Sequence, residues 1–283
     1  MRITIASGKG GTGKTTIATS LALSLTELGT LPVFLDGDVE APNAHLFLNP
    51  TFEQLQEVAI QIPQVDESKC TYCGKCAEVC QYHAIVMMGK KTLVFPQLCH
   101  GCGSCARVCP EHVIHEMPQA IGVLECGPAR GGILFVRGVL NIGEPMAVPV
   151  IRQLKQWIEP RPGQFEIVDA PPGTSCPVVE SMRGADVILL VTEPTPFGLH
   201  DLRLAVEVAR ELGIPVGVVI NRDGIGDDQV NEFCQSEGLP ILMRVPFERA
   251  IAEGVARGKT LVDIHPEYVE RFQQLFMQIA ALP

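Results

Sequence analysis

The chain has no surplus of basic charge: 22 Lys and Arg stand against 32 Asp and Glu, a formal net charge of −10. A protein that tracks a nucleic-acid backbone needs clustered cations, so broad nucleic-acid binding is excluded and only a small local patch is left open. No run of about 18 apolar residues occurs, which removes a membrane-spanning helix from consideration. The chain starts directly on an apolar stretch, Ile3 to Ile5, without a basic-then-apolar leader. The expectation is a soluble, cytoplasmic protein with no membrane attachment. A secreted disulfide framework is also missing: of eleven cysteines, eight crowd between Cys70 and Cys109, most of them two residues apart. That spacing belongs to metal chemistry in a reducing compartment. The 283 residues, 46% of them hydrophobic, allow a large buried core in one large domain or two of ordinary size.

What is present is organised around Ile5 to Thr16, IASGKGGTGKTT. Gly8 through Thr15 satisfies the phosphate-loop spacing G-x-x-x-x-G-K-[ST], between a strand-like run and a helix-like one (Ile17, Ala18, Leu21, Ala22, Leu25, Leu28). Gly8, Gly10, Gly11 and Gly13 let backbone N–H groups curl around a polyphosphate, and the following helix points its positive end at the same anion. Lys14 would reach the terminal phosphates, Thr15 would hold Mg²⁺, and Thr12 and Thr16 would complete the cradle. Ligand-binding groups collect at the carboxyl ends of parallel strands. Asp36 and Asp38, which follow the apolar run 31–35, and Asp169, which follows 165–168, therefore face the phosphate site.

A second lysine lies early in the loop, Lys9 of KGGTGKT. With it the loop resembles the deviant Walker A motif of the SIMIBI-class ATPases related to MinD, ParA, Mrp and the nitrogenase iron protein. The resemblance implies that Lys9 crosses a dimer interface to the partner's nucleotide, in a nucleotide-dependent homodimer or a heterodimer with a paralogue. It implies catalytic work for Lys9, Lys14 and Asp38, with Asp38 orienting the attacking water and Asp36 in the outer shell of Mg²⁺. The stretch Asp169-Ala-Pro-Pro-Gly173 resembles the second switch of the same ATPases, with Asp169 near the Mg²⁺ waters and the Gly173 N–H offered to the γ-phosphate. Asn221 corresponds to the asparagine that reads the adenine edge, and VPFERAIAEGVARGKTLVD to the segment that closes over the base.

The cysteines form an internal repeat. Cys70, Cys73, Cys76 and Cys80 are followed by Cys99, Cys102, Cys105 and Cys109-Pro110, with a period of 29 residues. This is the spacing of bacterial two-cluster ferredoxins, in which the fourth cysteine of each run ligates the other cluster. That likeness implies two [4Fe-4S] clusters, one on Cys70, Cys73, Cys76 and Cys109, the other on Cys99, Cys102, Cys105 and Cys80. Gln81 stands where proline follows the first run, and a pair of zinc sites is the rival reading. Tyr72, Tyr82 and the histidines at 83, 100, 112 and 115 are expected to pack and solvate. Residues 60–118 carry five acids and five bases, so 27 of the 32 acids and 17 of the 22 bases lie elsewhere. A neutral, cysteine-rich face beside an acidic body suits docking of a redox partner. Cys176 follows Asp169 by seven residues, where the nitrogenase iron protein has a cysteine on a cluster shared across its dimer axis. Cys126 and Cys176 are the candidates for such a cluster here, against the plainer reading of small thiols.

The expected fold is α/β: a doubly wound, mainly parallel sheet of the P-loop NTPase kind formed by 1–59 and 119–283. A small α+β, bacterial-ferredoxin-like domain is expected at 60–118, between the two switches. The expected function is an ATPase that couples nucleotide-dependent pairing to electron transfer to a partner. One alternative is an Mrp-like carrier that hands an iron–sulfur cluster to an acceptor protein. The other is a positioning ATPase of the MinD or ParA kind. The amphipathic stretch 266–282 has only Arg271 as a cation beside Glu267 and Glu270, too few for membrane targeting, and is expected to pack on the sheet.

Overall fold

In the computed structural model, which describes residues 1–158 and 163–282, the apolar run Arg2–Ala6 forms β1 in the interior of a nine-stranded sheet. Helix α1 (Lys14–Thr26) follows the glycine loop, then β2 (Val33–Asp36), the single turn α2 (His45–Leu48) and β3 (Gln54–Val65). The cysteine-rich stretch contributes α3 (Lys75–Val79), the hairpin of β4 (Ile85–Met87) and β5 (Thr92–Val94), and α4 (Ser104–Val108). The chain returns through β6 (Ile114–Pro128), β7 (Leu134–Leu140), α5 (Val148–Trp157), β8 (Glu166–Asp169), α6 (Cys176–Met182) and β9 (Val187–Thr192). It ends with α7 (Pro196–Glu211), β10 (Val216–Asp223), α8 (Gln229–Ser236), β11 (Ile241–Pro246), α9 (Arg249–Val255), α10 (Leu261–Ile264) and α11 (Tyr268–Ala280).

The strand order is β11-β10-β9-β1-β8-β2-β7-β6-β3. The pairs from β11 through β7 are parallel, and β6 runs antiparallel to β7 and to β3. Runs such as VILLVT in β9 are buried on both faces, which only a sheet covered on both sides permits. Alternate residues of each strand feed opposite layers. Phe34, Ile167 and Leu189 pack with Leu21 and Leu25 of α1 and with Phe272, Leu275 and Ile279 of α11. On the other face Ile188, Leu190 and Val218 meet Val178 and Met182 of α6 and Leu202 and Val206 of α7. Helix α11 thus buries its apolar stripe against the protein's own core, and among the described residues no helix is long and apolar enough to cross a membrane.

The ladder of β3 and β6 runs from Gln54 opposite Cys126 to Val65 opposite Ile114, with a register irregularity at Val58/Ala59. Of β6, Gly122–Pro128 is the part that pairs with β7. The outer half of the ladder therefore leaves the sheet as a two-stranded arm, and the sequence boundaries at 59/60 and 118/119 fall along it. At its tip the two cysteine runs repeat in backbone conformation as well as in spacing: φ is 55° at Tyr72 and 62° at Gly101, and 52° at His83 and 53° at His112.

Helix α10 is fastened by a capping box, Thr260 with Asp263, and Arg130 forks onto Asp263 with contacts of 2.8 and 2.5 Å. The Arg130 hydrogen bonds draw the Asp263 carboxyl down to about 2 against a partial burial that raises it. A folded-state value below the ordinary 3.8 means that this contribution is present above about pH 4 and is lost as pH falls towards 2. Asp263→Asn is expected to cost roughly 1 kcal/mol at pH 7, allowing for solvent screening. Urea unfolding of the two proteins at successive pH values should show that difference shrinking below about pH 4.

Candidate nucleotide site and cysteine cavities

The register of three neighbouring strands builds the first site. Ile5 of β1 lies opposite Asp169 of β8, and Asp169 lies opposite Asp36 of β2, so the phosphate loop and two carboxylates emerge side by side. The loop leaves β1 and enters α1 through Gly13, at φ 94°. A Cβ at Gly13 would stand 2.3 Å from the Asn221 amide nitrogen, so only glycine fits. Among the described residues no protein acceptor takes the N–H of Gly10, Gly11, Thr12, Gly13, Lys14, Thr15 or Thr16. The result is an uncompensated nest of donors at a helix N-terminus, the arrangement that holds an anion.

Lys14 is 7% exposed; burial lowers its pKa, opposed by the charges of Asp169 and Asp38. Asp36 is fully buried and accepts the N–H of Ala44 at 3.0 Å, and burial followed by the charge of Asp169 pushes its carboxyl well up. Burial raises Asp38 too, with Lys14 pulling the other way. Asp169 has no bonded donor, among the described residues, on either buried carboxylate oxygen. Burial pushes it to about 7 even though Thr15 and Lys14 lie near enough to pull it down. Buried acids left this way call for a cation. The Gly173 N–H donates to the Ser7 carbonyl at 3.1 Å, so its contact with a terminal phosphate needs the turn after β8 to shift.

Beyond the loop a cavity of about 440 Å³ is lined by Lys14, Thr15, Thr16 and Asp38 together with Leu46, Phe47, Phe247 and Ile251. Asn221 lies on its wall and donates to the Thr12 carbonyl at 2.7 Å, bracing the loop with the amide group expected to face a base. Two residues without an expected role stand beside it. Glu193, just past β9, takes the Lys9 ammonium on one oxygen and the Arg222 guanidinium on the other at 3.0 Å. Arg222 also donates to the Gly11 carbonyl at 3.0 Å. Their only sequence signal was a charged residue at the carboxyl end of a buried strand.

At the tip of the arm, Cys70, Cys73, Cys76 and Cys109 line one small cavity. Cys80, Cys99, Cys102 and Cys105 line another, so the last cysteine of each run crosses to the other group. Backbone N–H groups of Tyr72, Ala84 and Gly101 point at the sulfurs of Cys70, Cys80 and Cys99 at 3.3–3.4 Å. Burial raises the Cys76 and Cys99 thiols and takes Cys105 to about 11, while Ser104 lowers Cys102. Among the described residues no three His, Cys, Asp or Glu side chains converge where one metal ion would sit. Cys126 is 2% exposed within β6, whereas Cys176 is exposed at the start of α6.

A twisted parallel sheet with helices on both faces, and an open N–H nest where β1 meets α1, define a nucleotide-binding protein of the P-loop class. Residues 3–262 match the family described as the CobQ/CobB/MinD/ParA nucleotide binding domain, and the chain belongs to that family. An uncharacterized protein of Methanocaldococcus jannaschii is 31% identical over 93% of this chain and 91% of its own. A protein of Synechocystis named as an iron-sulfur cluster carrier protein is 27% identical over 94% of this chain and 65% of its own length. Among solved structures, the septum site-determining protein MinD of Pyrococcus horikoshii with Mg-ADP is similar in fold. Its TM-score is 0.59, at 19% identity over 99% of this chain and 96% of that one.

Gly13→Ala tests the loop directly. The added methyl must displace Asn221 and sits at a backbone angle that alanine resists. Calorimetric titration with Mg-ATP is expected to show affinity at least about tenfold weaker.

Proposed function

We propose that this protein binds and hydrolyses ATP with Mg²⁺ and couples nucleotide state to electron transfer from clusters on its arm to a partner protein. The observation that carries this reading is a continuity of chain. The segment after β2 holds Asp38 and runs directly into β3, one rail of the arm whose tip bears both cysteine groups. It is tied at both ends: Asp36 accepts from Ala44 at 3.0 Å, and the N–H groups of Thr51 and Glu53 donate to Pro128 and Cys126 of β6 at 2.9 and 2.8 Å. A shift at Asp38 on nucleotide exchange is thereby passed to the root of the arm.

In this reading the N–H nest and Lys14 hold the phosphates, Asp38 orients the water, and Lys9, on leaving Glu193, serves the nucleotide of a second subunit, a copy or a paralogue. Thr15, Asp36 and Asp169 would hold Mg²⁺, and the unpartnered Asp169 oxygens support this. Mg²⁺ when bound supplies neutralisation of charge on the β- and γ-phosphates. Asn221, besides bracing Thr12, offers its remaining amide groups to the base.

Each cysteine group would hold a [4Fe-4S] cluster, on a ferredoxin-like module of about residues 60–118. The doubled cysteine spacing and the crossing of each run's last cysteine to the other group support a cluster in each cavity, and N–H groups aimed at sulfur would stabilise its thiolates. Such clusters when bound supply one-electron chemistry at potentials the protein tunes. The relatives named as iron-sulfur cluster carrier proteins favour a second reading, delivery of a cluster to an acceptor protein. Fully ligated clusters on the arm would stay in place, so the cargo would be a third cluster, for which the exposed Cys176 of two paired subunits is the candidate.

Anaerobic protein is expected to hold about eight irons per chain. Its reduced electron paramagnetic resonance spectrum should change with Mg-ATP, and Lys14→Ala should abolish both that change and ATP hydrolysis. Zinc in place of iron, or electron delivery indifferent to Lys14→Ala, would sink the coupling. Transfer of labelled iron to an apo-acceptor, lost in Cys176→Ser with the eight irons retained, would decide for the carrier.

A further inference from the structure

We infer that Arg222 and Glu193 are positioning residues that act as one unit to keep the peptides of the phosphate loop turned with N–H inward, an inference that rests on the loop being the ATP site. A cradle for an anion works only if each peptide offers its donor; a rotated peptide presents its carbonyl and repels the phosphate. In this loop the carbonyls are drawn outward one by one. The Lys9 carbonyl accepts from the Ser7 hydroxyl at 2.6 Å, the Gly11 carbonyl from Arg222 at 3.0 Å, and the Thr12 carbonyl from Asn221 at 2.7 Å. Among the described residues, the N–H groups of the same stretch have no protein acceptors.

Ser7 lies in the loop itself, but Arg222 must be brought in from the end of β10 and held. One arm of its guanidinium bonds Gly11 and the other bonds Glu193, a carboxylate only 8% exposed. Glu193 uses its second oxygen for Lys9, so a single acid gathers the side chain of one loop residue and, through Arg222, the backbone of another. Burial pushes the Glu193 carboxyl up, yet Lys9 and Arg222 outweigh it and hold it ionised. The backbone at Arg222 is left-handed, φ 54°, in a residue with a Cβ. Such a conformation persists where its surroundings over-determine it, and here it places Asn221 and Arg222 on adjacent loop carbonyls. The Arg222 side chain remains 46% exposed, so its pairing adds little to stability. Lysine cannot replace it, because one ammonium does not span two acceptors as a planar fork does.

The test uses the full chain, with Kd for Mg-ATP, Mg-ADP and Mg-GTP, kcat at saturating ATP, and thermal unfolding without nucleotide. Arg222→Ala is expected to raise Kd for both adenine nucleotides about tenfold, leaving the ATP-over-GTP preference and the unfolding temperature close to those of the parent. Arg222→Lys, the milder variant should alanine impair folding, is expected to recover no more than about threefold of that loss. Glu193→Ala should cost clearly less in the Arg222→Ala background than in the parent, the signature of groups working as a unit, with only its hold on Lys9 left to lose. Affinity within twofold of the parent in Arg222→Ala, full rescue by lysine, or losses that multiply in the double variant would each overturn the inference. Lys14→Ala separates it from the reading beneath it. If that variant binds Mg-ATP normally, the loop is not the ATP site. If it fails to bind while Arg222→Ala binds well, only the positioning role falls.

Discussion

Charge buried at the carboxyl ends of three parallel strands is the constraint to which the rest of the structure answers. Lys14, Asp36 and Asp169 sit in the interior with less than full compensation, and the strand register leaves them no way apart. Burial raises both carboxyls, the charge of Asp169 raises Asp36 further and that of Asp38 raises Asp169, and a single ammonium, its own charge disfavoured by burial, does not satisfy them all. A protein accepts such an arrangement where a ligand completes it. The N–H nest above these groups and the unpartnered Asp169 oxygens ask for complementary things, an anion and a cation, which is what a metal-bound polyphosphate brings.

The two chain segments that leave this charged spot both lead to the arm. The one after Asp36 becomes β3. The one after Asp169 becomes α6, which is clamped to α5: Arg152 forks onto Glu180 at 3.2 and 3.1 Å, and the buried Lys155 donates to the carbonyls of Glu180 and Arg183 at 2.5 Å. Helix α5 buries Val150, Ile151 and Leu154 in the same core as Ile60 and Ile62 of β3 and the thiol of Cys99. Both turns that face the nucleotide site are therefore packed, through one or two rigid elements, onto the root of the cysteine-bearing arm. Well-packed cores of this kind move between discrete arrangements rather than deform smoothly.

The second cysteine group is the nearer of the two to the sheet, since Cys99 shares that core, while Cys70, Cys76 and Cys109 pack with Ile85 and Val113 at the tip. Gly101 lies against the backbone of Gln61, so the loop around Cys99 covers the open edge of β3 where the arm begins. Tyr82 and His100 stack at 3.6 Å between ring centres over the nearer cavity, whereas the repeat places Glu111 and Thr71 at the corresponding positions of the outer one. The two halves of the repeat thus share a backbone and differ in what screens them from solvent.

Much of this was legible in the chain itself. The glycine spacing, the lysine and threonine at its end, the fully apolar strand runs and the doubled cysteine pattern are local, and local spacing is enough to dictate a loop, a strand or a tight turn. The length of the arm was not legible, because β3 and β6 continue past the sheet on an alternation that looks the same inside and outside it. Nor were the partners of the loop: Arg222 meets Gly11 from 211 residues away and Glu193 meets Lys9 from 184. The sequence alone determined which chemical groups are present and how each stretch curls. Only the tertiary structure decided which of them face one another, because the order of strands in a sheet is set by packing of the whole core and not by the residues of any one strand.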